Sequence, residues 1–508
     1  MSSPTTIAEQ LAAGDAASVA IAAPGHQPLT YQGLRDQVGR TVAALNGLGV
    51  GREDRVAIVL PNGPEMALAF LATAAGATAA PLNPAYRAEE FEFYLSDLRA
   101  RALIVPRGSE SPAVGVAAKL GITLVELDPK PERGAGAFEL VCASARSGAG
   151  AAGGFAEPED AALILHTSGT TSRPKIVPLS QQNVCASAGN IRSTLKLAPE
   201  DCGLTIMPLF HIHGLMASLL APLASGGRIF CTPGFHALKF FGWMSEARPT
   251  WYTAVPTMHQ AILSRAGHNR DVIAANPLRF LRSSSSSMPP QVIQELEATF
   301  GAPLIESYGM TEASHQMASN PLPPGRRIPG TVGVSAGPEV AIMDERGEFL
   351  PPDHMGEIVI RGANVTRGYE NNPAANADAF TRGWFRTGDQ GTMSADGYIT
   401  ITGRLKEIIN RGGEKISPRE VDEVLMDHPA IQQVVTFAVP HPKLGEDVAT
   451  AVVLREGASL SEKEVREFAA RRLADFKVPR TVLFLPEIPK GATGKLQRIG
   501  LAAKLGLA

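Results

Sequence analysis

Ala161-Ala-Leu-Ile-Leu165 runs directly into His166-Thr-Ser-Gly-Thr-Thr-Ser-Arg-Pro-Lys175, and that junction decides the architecture. An unbroken apolar run of this length reads as a strand buried on both faces. The segment after it carries the hydroxyls of Thr167, Ser168, Thr170, Thr171 and Ser172, together with Gly169 and Lys175. Such a loop at a strand end offers hydrogen-bond donors and a point charge to a phosphate chain. Gly169 and Lys175 have the spacing of a Walker A loop, GxxxxGK[ST]. That reading fails at Pro174, which replaces the second glycine, and at Ile176, which replaces the metal-binding hydroxyl.

Working outward, Arg55-Val-Ala-Ile-Val-Leu60 and Ala102-Leu-Ile-Val105 have the same buried-strand character. They alternate with helical periods over 31–48 and 64–75, which predicts an α/β fold with parallel pairing. The uncharged run 66–86 is Ala-rich and broken by Gly76, Pro81, Asn83 and Pro84. It reads as a buried helix entering a buried strand, not as a membrane span. The Gly- and Ala-rich stretch 131–158 reads as a surface loop. Beyond the Pro/Gly-rich loop 321–330, Val340-Ala-Ile-Met343, Gly356-Glu-Ile-Val-Ile-Arg361 and Gly397-Tyr-Ile-Thr-Ile-Thr402 are short alternating strands, which predicts an antiparallel, β-barrel-like subdomain. The expected division is a large N-terminal domain over 1–403, a hinge at 404–406 and a small mobile α+β C-terminal domain over 407–508. The small unit reads as a hairpin (406–416), a helix (418–426), two strands (432–439 and 447–454) and a helix (461–473). Ser417, Pro418 and Glu420 form a capping-box start for the first helix.

Composition narrows the function. The 508 residues hold 47 Lys plus Arg against 50 Asp plus Glu, a net charge of -3, which gives no support for a nucleic-acid partner. Cys142, Cys185, Cys202 and Cys231 show no CxxC spacing, so a zinc ribbon or disulfide framework is not expected and a reducing compartment is. MSSPTTIAEQ lacks the basic and apolar regions of a signal peptide, and the terminal Lys504-Leu-Gly-Leu-Ala508 is no peroxisomal address. A cytoplasmic protein without a membrane anchor, monomeric or homodimeric, is the expectation.

His166 to Lys175 resembles the phosphate loop of the adenylate-forming enzymes, the superfamily of acyl-CoA synthetases, luciferases and peptide-synthetase adenylation domains. Further matches follow in order: Tyr308-Gly-Met-Thr-Glu312, Trp384-Phe-Arg-Thr-Gly-Asp389, Gly403-Arg-Leu-Lys406 and Gly491-Ala-Thr-Gly-Lys495. Ser172 and Ile176 stand where that family commonly has glycine, and a β-branched residue resists positive φ. The resemblance implies ATP and CoA as co-substrates and Mg²⁺ as the metal. It assigns Thr167, Ser168, Gly169, Thr170, Thr171 and Lys175 to the phosphates. Glu306, Ser307, Tyr308, Gly309 and Thr311 go to the adenylate, Asp389 and Arg404 to the ribose, and Glu312 to Mg²⁺. Lys495 becomes the catalytic lysine and Lys406 the hinge. Elementary chemistry agrees: bringing a carboxylate up to a triphosphate requires screening by a cation, hydroxyl donors and a lysine.

Acid and thiol are read from the remaining segments. His211 and His213 of Pro208-Leu-Phe-His-Ile-His-Gly214 are not accompanied by the carboxylates a metal site would need. His315, three residues past Glu312, places a polar group where a fatty or aromatic acid would want an apolar wall. This pattern looks most like the oxalate-activating branch of the family. His211, His315 and the serine run 283–287, in particular Ser286 and Ser287, are candidate acid contacts. His213, Arg411, Gly412 and Gly413 are candidate CoA contacts, two adjacent glycines letting a narrow pantetheine chain approach backbone. Alternatives that stay open are malonate, another short acid or a 4-coumarate-like acid, a domain that loads a carrier protein, and a nucleotide-binding protein without catalysis.

Overall fold

The run Ala161–Thr167 does enter a parallel sheet, flanked on one side by Thr78–Pro81. A computed structural model describes residues 3–142, 153–167, 174–489 and 496–508. Ser168, Gly169, Thr170, Thr171 and Ser172 of the phosphate loop, and Lys495 with Gly491 and Gly494, lie outside the described residues.

Among the described residues there are four sheets. The first has the order Phe138–Val141, Thr123–Pro129, Ala102–Pro106, Arg55–Ile58, Thr78–Pro81, Ala161–Thr167, Lys175–Ser180. Its inner strands are parallel and its two outermost pairings antiparallel. The second, nine-stranded sheet carries the parallel series Arg228–Cys231, Cys202–Thr205, Trp251–Ala254, Phe280–Ser283, Leu304–Met310, and closes on antiparallel His315–Ser319. Helix Gln181–Thr194 packs against strands of both sheets and buries Val184, Cys185, Ala188 and Ile191. It therefore fixes the distance between the phosphate-loop strands and His315. The Ala-rich run folds as expected: helix Pro64–Ala74 is buried at every residue but Glu65 and leads into Thr78–Pro81. No helix among the described residues is long and apolar enough to cross a membrane.

The antiparallel unit after residue 330 comprises Glu339–Met343, Gly356–Arg361, Trp384–Met393, Phe380–Thr381 and Ile399–Arg404. Its pairings do not close into a ring. The last sheet comprises Glu414–Ile416, Ile409–Arg411, Gly445–Leu454, Ile431–His441 and Thr481–Phe484, with helices Pro418–Met426 and Glu462–Ala470.

Two local expectations change. The stretch 131–158 contains Phe138–Val141, paired with Thr123–Pro129 and anchored by buried Phe138. One aromatic suffices to seat a short edge strand, and its Gly/Ala-rich flanks hid it. The box at Ser417 is half formed. Ser417 Oγ accepts from the Glu420 N–H at 3.4 Å, but the Glu420 carboxylate turns to Lys477 Nζ instead, at 2.6 and 2.8 Å. None of the four cysteines forms a disulfide among the described residues.

Candidate active site

Parallel strands deliver their C-terminal ends to one edge, where ligands of open α/β sheets bind. Three clusters of the expected residues, and several unexpected ones, gather around such strand ends.

The first joins Tyr308, Asp389 and Arg404. Asp389 and Arg404 face each other across an antiparallel ladder, and Arg404 Nε donates to Asp389 Oδ1 at 3.0 Å. The Tyr308 hydroxyl donates to Asp389 Oδ2. Burial, and then the adjacent Asp389 charge, hold that phenol protonated well above its ordinary range. Asp389 in turn raises the Arg404 guanidinium. Each carboxylate oxygen keeps a second lone pair for a hydroxyl donor.

The second centres on Glu312, in a single turn Thr311–Ala313. Its Oε1 accepts from the Tyr369 hydroxyl at 2.8 Å, and the Lys175 Nζ lies 4.2 Å from the centre of the Tyr369 ring. Burial raises the Glu312 carboxyl, and Tyr369, Arg404 and Lys175 oppose the shift. Tyr369 was not a sequence candidate, and a lone tyrosine outside the motifs carried no signal. Thr167 and Lys175 are direct ladder partners on either side of the phosphate loop. Ile176, the odd residue there, extends that ladder opposite His166 and buries its side chain. It is not among the residues with positive φ. A β-branched residue is at home in a strand, so Ile176 is accommodated there without positive φ.

The third cluster is wholly interior. His213 and His315, 2% and 1% exposed, stack with ring centres 4.7 Å apart and planes 18° apart. Both rings meet Arg282, 0% exposed, whose side chain projects from strand Phe280–Ser283 of the nine-stranded sheet. The two hydrogens of its Nη1 are shared among three acceptors, His315 Nε2 at 3.2 Å, Thr253 Oγ1 at 3.2 Å and His213 Nε2 at 3.4 Å. Its Nη2 donates to Gln316 Oε1 at 3.2 Å. The Arg282 backbone carbonyl is held by buried His259 at 3.1 Å. Burial lowers the Arg282 pKa to about 9. His213 Nδ1 lies 3.1 Å from Ser285 Oγ. Ser285, Ser314 and His315 all have positive φ, at 75°, 48° and 95°. Non-glycine residues held there mark a backbone over-determined by its surroundings. A Cβ at Gly309 would stand 1.7 Å from the His315 carbonyl oxygen, so that motif position admits only glycine.

Several expectations move. His213, expected as a CoA contact, is placed beside His315, at the start of the π-helical segment His213–Leu220 that lies over Trp251–Ala254. His211 is half-buried against Phe210 and outside that stack. Ser286 and Ser287 are exposed and line a cavity of about 110 Å³ facing Arg419 and Arg498; the serine that meets an imidazole is Ser285. Ser284 and Ser307 tie the two strand ends together. Buried Glu306 sits beneath Met288 and is raised to about 8, mainly by burial, with Arg419 opposing. Arg411 is tied to Asp447 at 2.7 Å, and Gly412 and Gly413 form an exposed turn with φ of 60° and 100°. Lys406 is exposed in the turn just after Arg404. Arg282 escaped the sequence reading, although a charged residue inside Leu278-Arg-Phe-Leu-Arg-Ser283 was the available signal.

The chain matches the family described as AMP-binding enzyme over residues 8–370, and the AMP-binding enzyme C-terminal domain over residues 420–495. It belongs to that family. An oxalate–CoA ligase of Arabidopsis thaliana is 46% identical, with 94% of each chain covered. An oxalate–CoA ligase of Saccharomyces cerevisiae is 42% identical, with 92% of this chain and 91% of that one covered. ATP-bound MatB from Rhodopseudomonas palustris superimposes with a TM-score of 0.86 at 30% identity, covering 97% of both chains.

Proposed function

We propose that this AMP-binding enzyme is an acid–CoA ligase whose acid is oxalate. A carboxylate oxygen of oxalate attacks the α-phosphorus of ATP, the bond to the β-phosphate oxygen breaks, and pyrophosphate leaves. The CoA thiolate then attacks the acyl carbon of oxalyl-adenylate. The acyl–oxygen bond breaks, AMP leaves, and oxalyl-CoA remains.

The observation that carries the acid is the buried Arg282–His213–His315 cluster, in which no carboxylate accepts a bond from Arg282 among the described residues. Oxalate keeps its second carboxylate charged throughout the reaction. Burying that charge without a partner would cost several kcal/mol. A cationic, donor-rich wall answers this need, whereas a fatty or aromatic tail would gain nothing from it. The two relatives named oxalate–CoA ligase support the same reading.

The other groups take the following roles. Thr167, Ser168, Gly169, Thr170, Thr171 and Lys175 cradle the phosphates. Glu306, Ser307, Tyr308 and Gly309 line the adenylate, and Thr311 meets the α-phosphate. Asp389 accepts from the ribose hydroxyls while Arg404 holds its other face. Lys495 neutralises charge as the carboxylate meets the α-phosphate. Arg411, Gly412 and Gly413 serve the thiol step after the C-terminal domain, 407–508, turns on the 404–406 hinge at Lys406. Glu312 fits Mg²⁺. One oxygen is fixed by Tyr369, and no group of three His, Cys, Asp or Glu among the described residues could cage a metal. Mg²⁺ ordinarily takes one or two carboxylates plus substrate phosphates. When bound, it would screen the triphosphate.

A panel of oxalate, malonate, acetate, octanoate and 4-coumarate, assayed by CoA-dependent AMP release, tests the acid. Oxalate should give the highest kcat/KM; a higher value for octanoate or 4-coumarate refutes the polar pocket. His315→Ala should weaken oxalate use by about 1–3 kcal/mol, the cost of stranding a buried polar partner.

A further inference from the structure

We infer that Arg282 is the positioning residue of the acid pocket, fixing His213 and His315 as neutral imidazoles protonated on Nδ1. The acid-specific part of this inference rests on the oxalate reading above; the tautomers do not.

Donor logic forces the assignment. A guanidinium has only N–H donors, so His315 Nε2, 3.2 Å from Arg282 Nη1, must accept. Its proton is then on Nδ1. His213 Nε2 receives Arg282 Nη1 at 3.4 Å and lies 2.7 Å from Thr253 Oγ1. Because an Arg282 N–H faces His213 Nε2, that nitrogen accepts, and Thr253, which takes the other Arg282 contact on one lone pair, donates its hydroxyl proton to it. The proton of His213 therefore points at Ser285 Oγ, 3.1 Å away. Ser285 accepts it and keeps its own proton for another acceptor. The chain Arg282, Thr253, His213, Ser285 runs in one donating direction, away from a buried cation. Such a chain ends naturally on an anion. Neither ring can take a second proton while it faces Arg282, so the pocket's charge resides on the guanidinium.

The surroundings hold this order. Gln316 binds the other Arg282 nitrogen and is itself fixed by Thr194 and the Ala336 carbonyl at 3.1 Å each. Arg282 Nε has no hydrogen-bond partner among the described residues, and no carboxylate offsets the guanidinium. A buried cation left uncompensated by the chain is costly. Here the second carboxylate of the acid, reached through Ser285 and the imidazoles, supplies the missing charge.

The test uses the full chain labelled with ¹⁵N-histidine and magic-angle-spinning NMR, with His213→Gln and His315→Gln spectra for assignment. Both rings should be neutral with Nδ1 protonated and Nε2 bare. Nε2–H tautomers or imidazolium signals would overturn the inference without any change at residue 282. Kinetics give the second arm. The second carboxylate is bound equally in ground and transition states, so Arg282→Gln should raise the oxalate KM about tenfold or more with kcat little changed. Arg282→Lys should recover part of that loss. A fall in kcat at unchanged KM would mark Arg282 as merely structural and refute the positioning role. If Arg282→Gln does not fold, the wild-type tautomers and the Lys variant decide. Wild-type enzyme that ignores oxalate yet shows Nδ1–H on both rings refutes the substrate and leaves the Arg282 assignment standing.

Discussion

Tyr369 connects two groups of opposite charge. Its hydroxyl fixes Glu312 and its ring face lies against Lys175. A hydrogen bond to a charged carboxylate is worth about 1.5–3 kcal/mol. Tyr369→Phe keeps the ring and removes only the hydroxyl. Its expected effect is a rise of about tenfold or more in the KM for MgATP in ATP–pyrophosphate exchange, with the oxalate KM nearly unchanged. An unaltered MgATP KM would show that Glu312 needs no such support. At this scale the sequence reading was uneven. Tyr308, Asp389, Arg404 and Glu312 were found from ordered motifs and do assemble in space. Arg282, Thr253, Gln316 and Tyr369 were not, because their importance lies in which residues the sheet sets beside them, and a single sequence does not display that.

Strand Leu304–Met310 is the element on which most of the candidate site depends. It carries Glu306, Ser307, Tyr308 and Gly309 and leads into Glu312. Glu306 on this strand has a sign-definite pH consequence. Its carboxyl ordinarily titrates at 4.5 and is pushed up to about 8 in the folded chain, first by burial. Between those values the folded chain holds a proton that the unfolded chain releases. The stabilisation is complete below the ordinary value and is lost as pH rises through about 8. Glu306→Gln keeps the neutral shape and cannot ionise. Wild type should lose more Tm than this variant from about pH 6 to about pH 9; parallel Tm curves would disprove it. The parallel strands were legible because buried runs such as Ala161-Ala-Leu-Ile-Leu165 have few other readings. Phe138–Val141 was not, since a single seated aromatic does not make a pattern.

Across the whole molecule, charge is placed locally. A chain with a net charge of -3 handles ATP, CoA and a small acid, all anions. The cations sit at Lys175, Arg282 and Arg404, with Lys495 outside the described residues. Polar contacts join the body to helix Pro418–Met426 and its C-cap. Arg419 donates to the Ile401 carbonyl at 2.7 Å and Gln291 to Asp427 at 2.7 Å. Such bonds exchange readily with water, which suits the reorientation proposed for the C-terminal domain. Lys495→Ala should slow oxalyl-adenylate formation by roughly 100-fold or more, yet spare thiolysis of supplied oxalyl-adenylate. Equal loss in both assays would remove the division of labour. The order of the two domains was legible because the motifs occur in sequence; the buried cation Arg282 was not, because net charge averages it away.

The interlocked Arg282, His213 and His315 also constrain how such an enzyme changes its diet. Replacing any one strands a buried partner, while replacing the set together with Gln316, whose Oε1 accepts from Arg282, by apolar residues of similar volume restores a satisfied interior. Intermediates on the way to a fatty-acid pocket are therefore worse than either end. Acid preference in this lineage should pass between descendants as an indivisible block, and chimaeras that split the block should activate neither acid well.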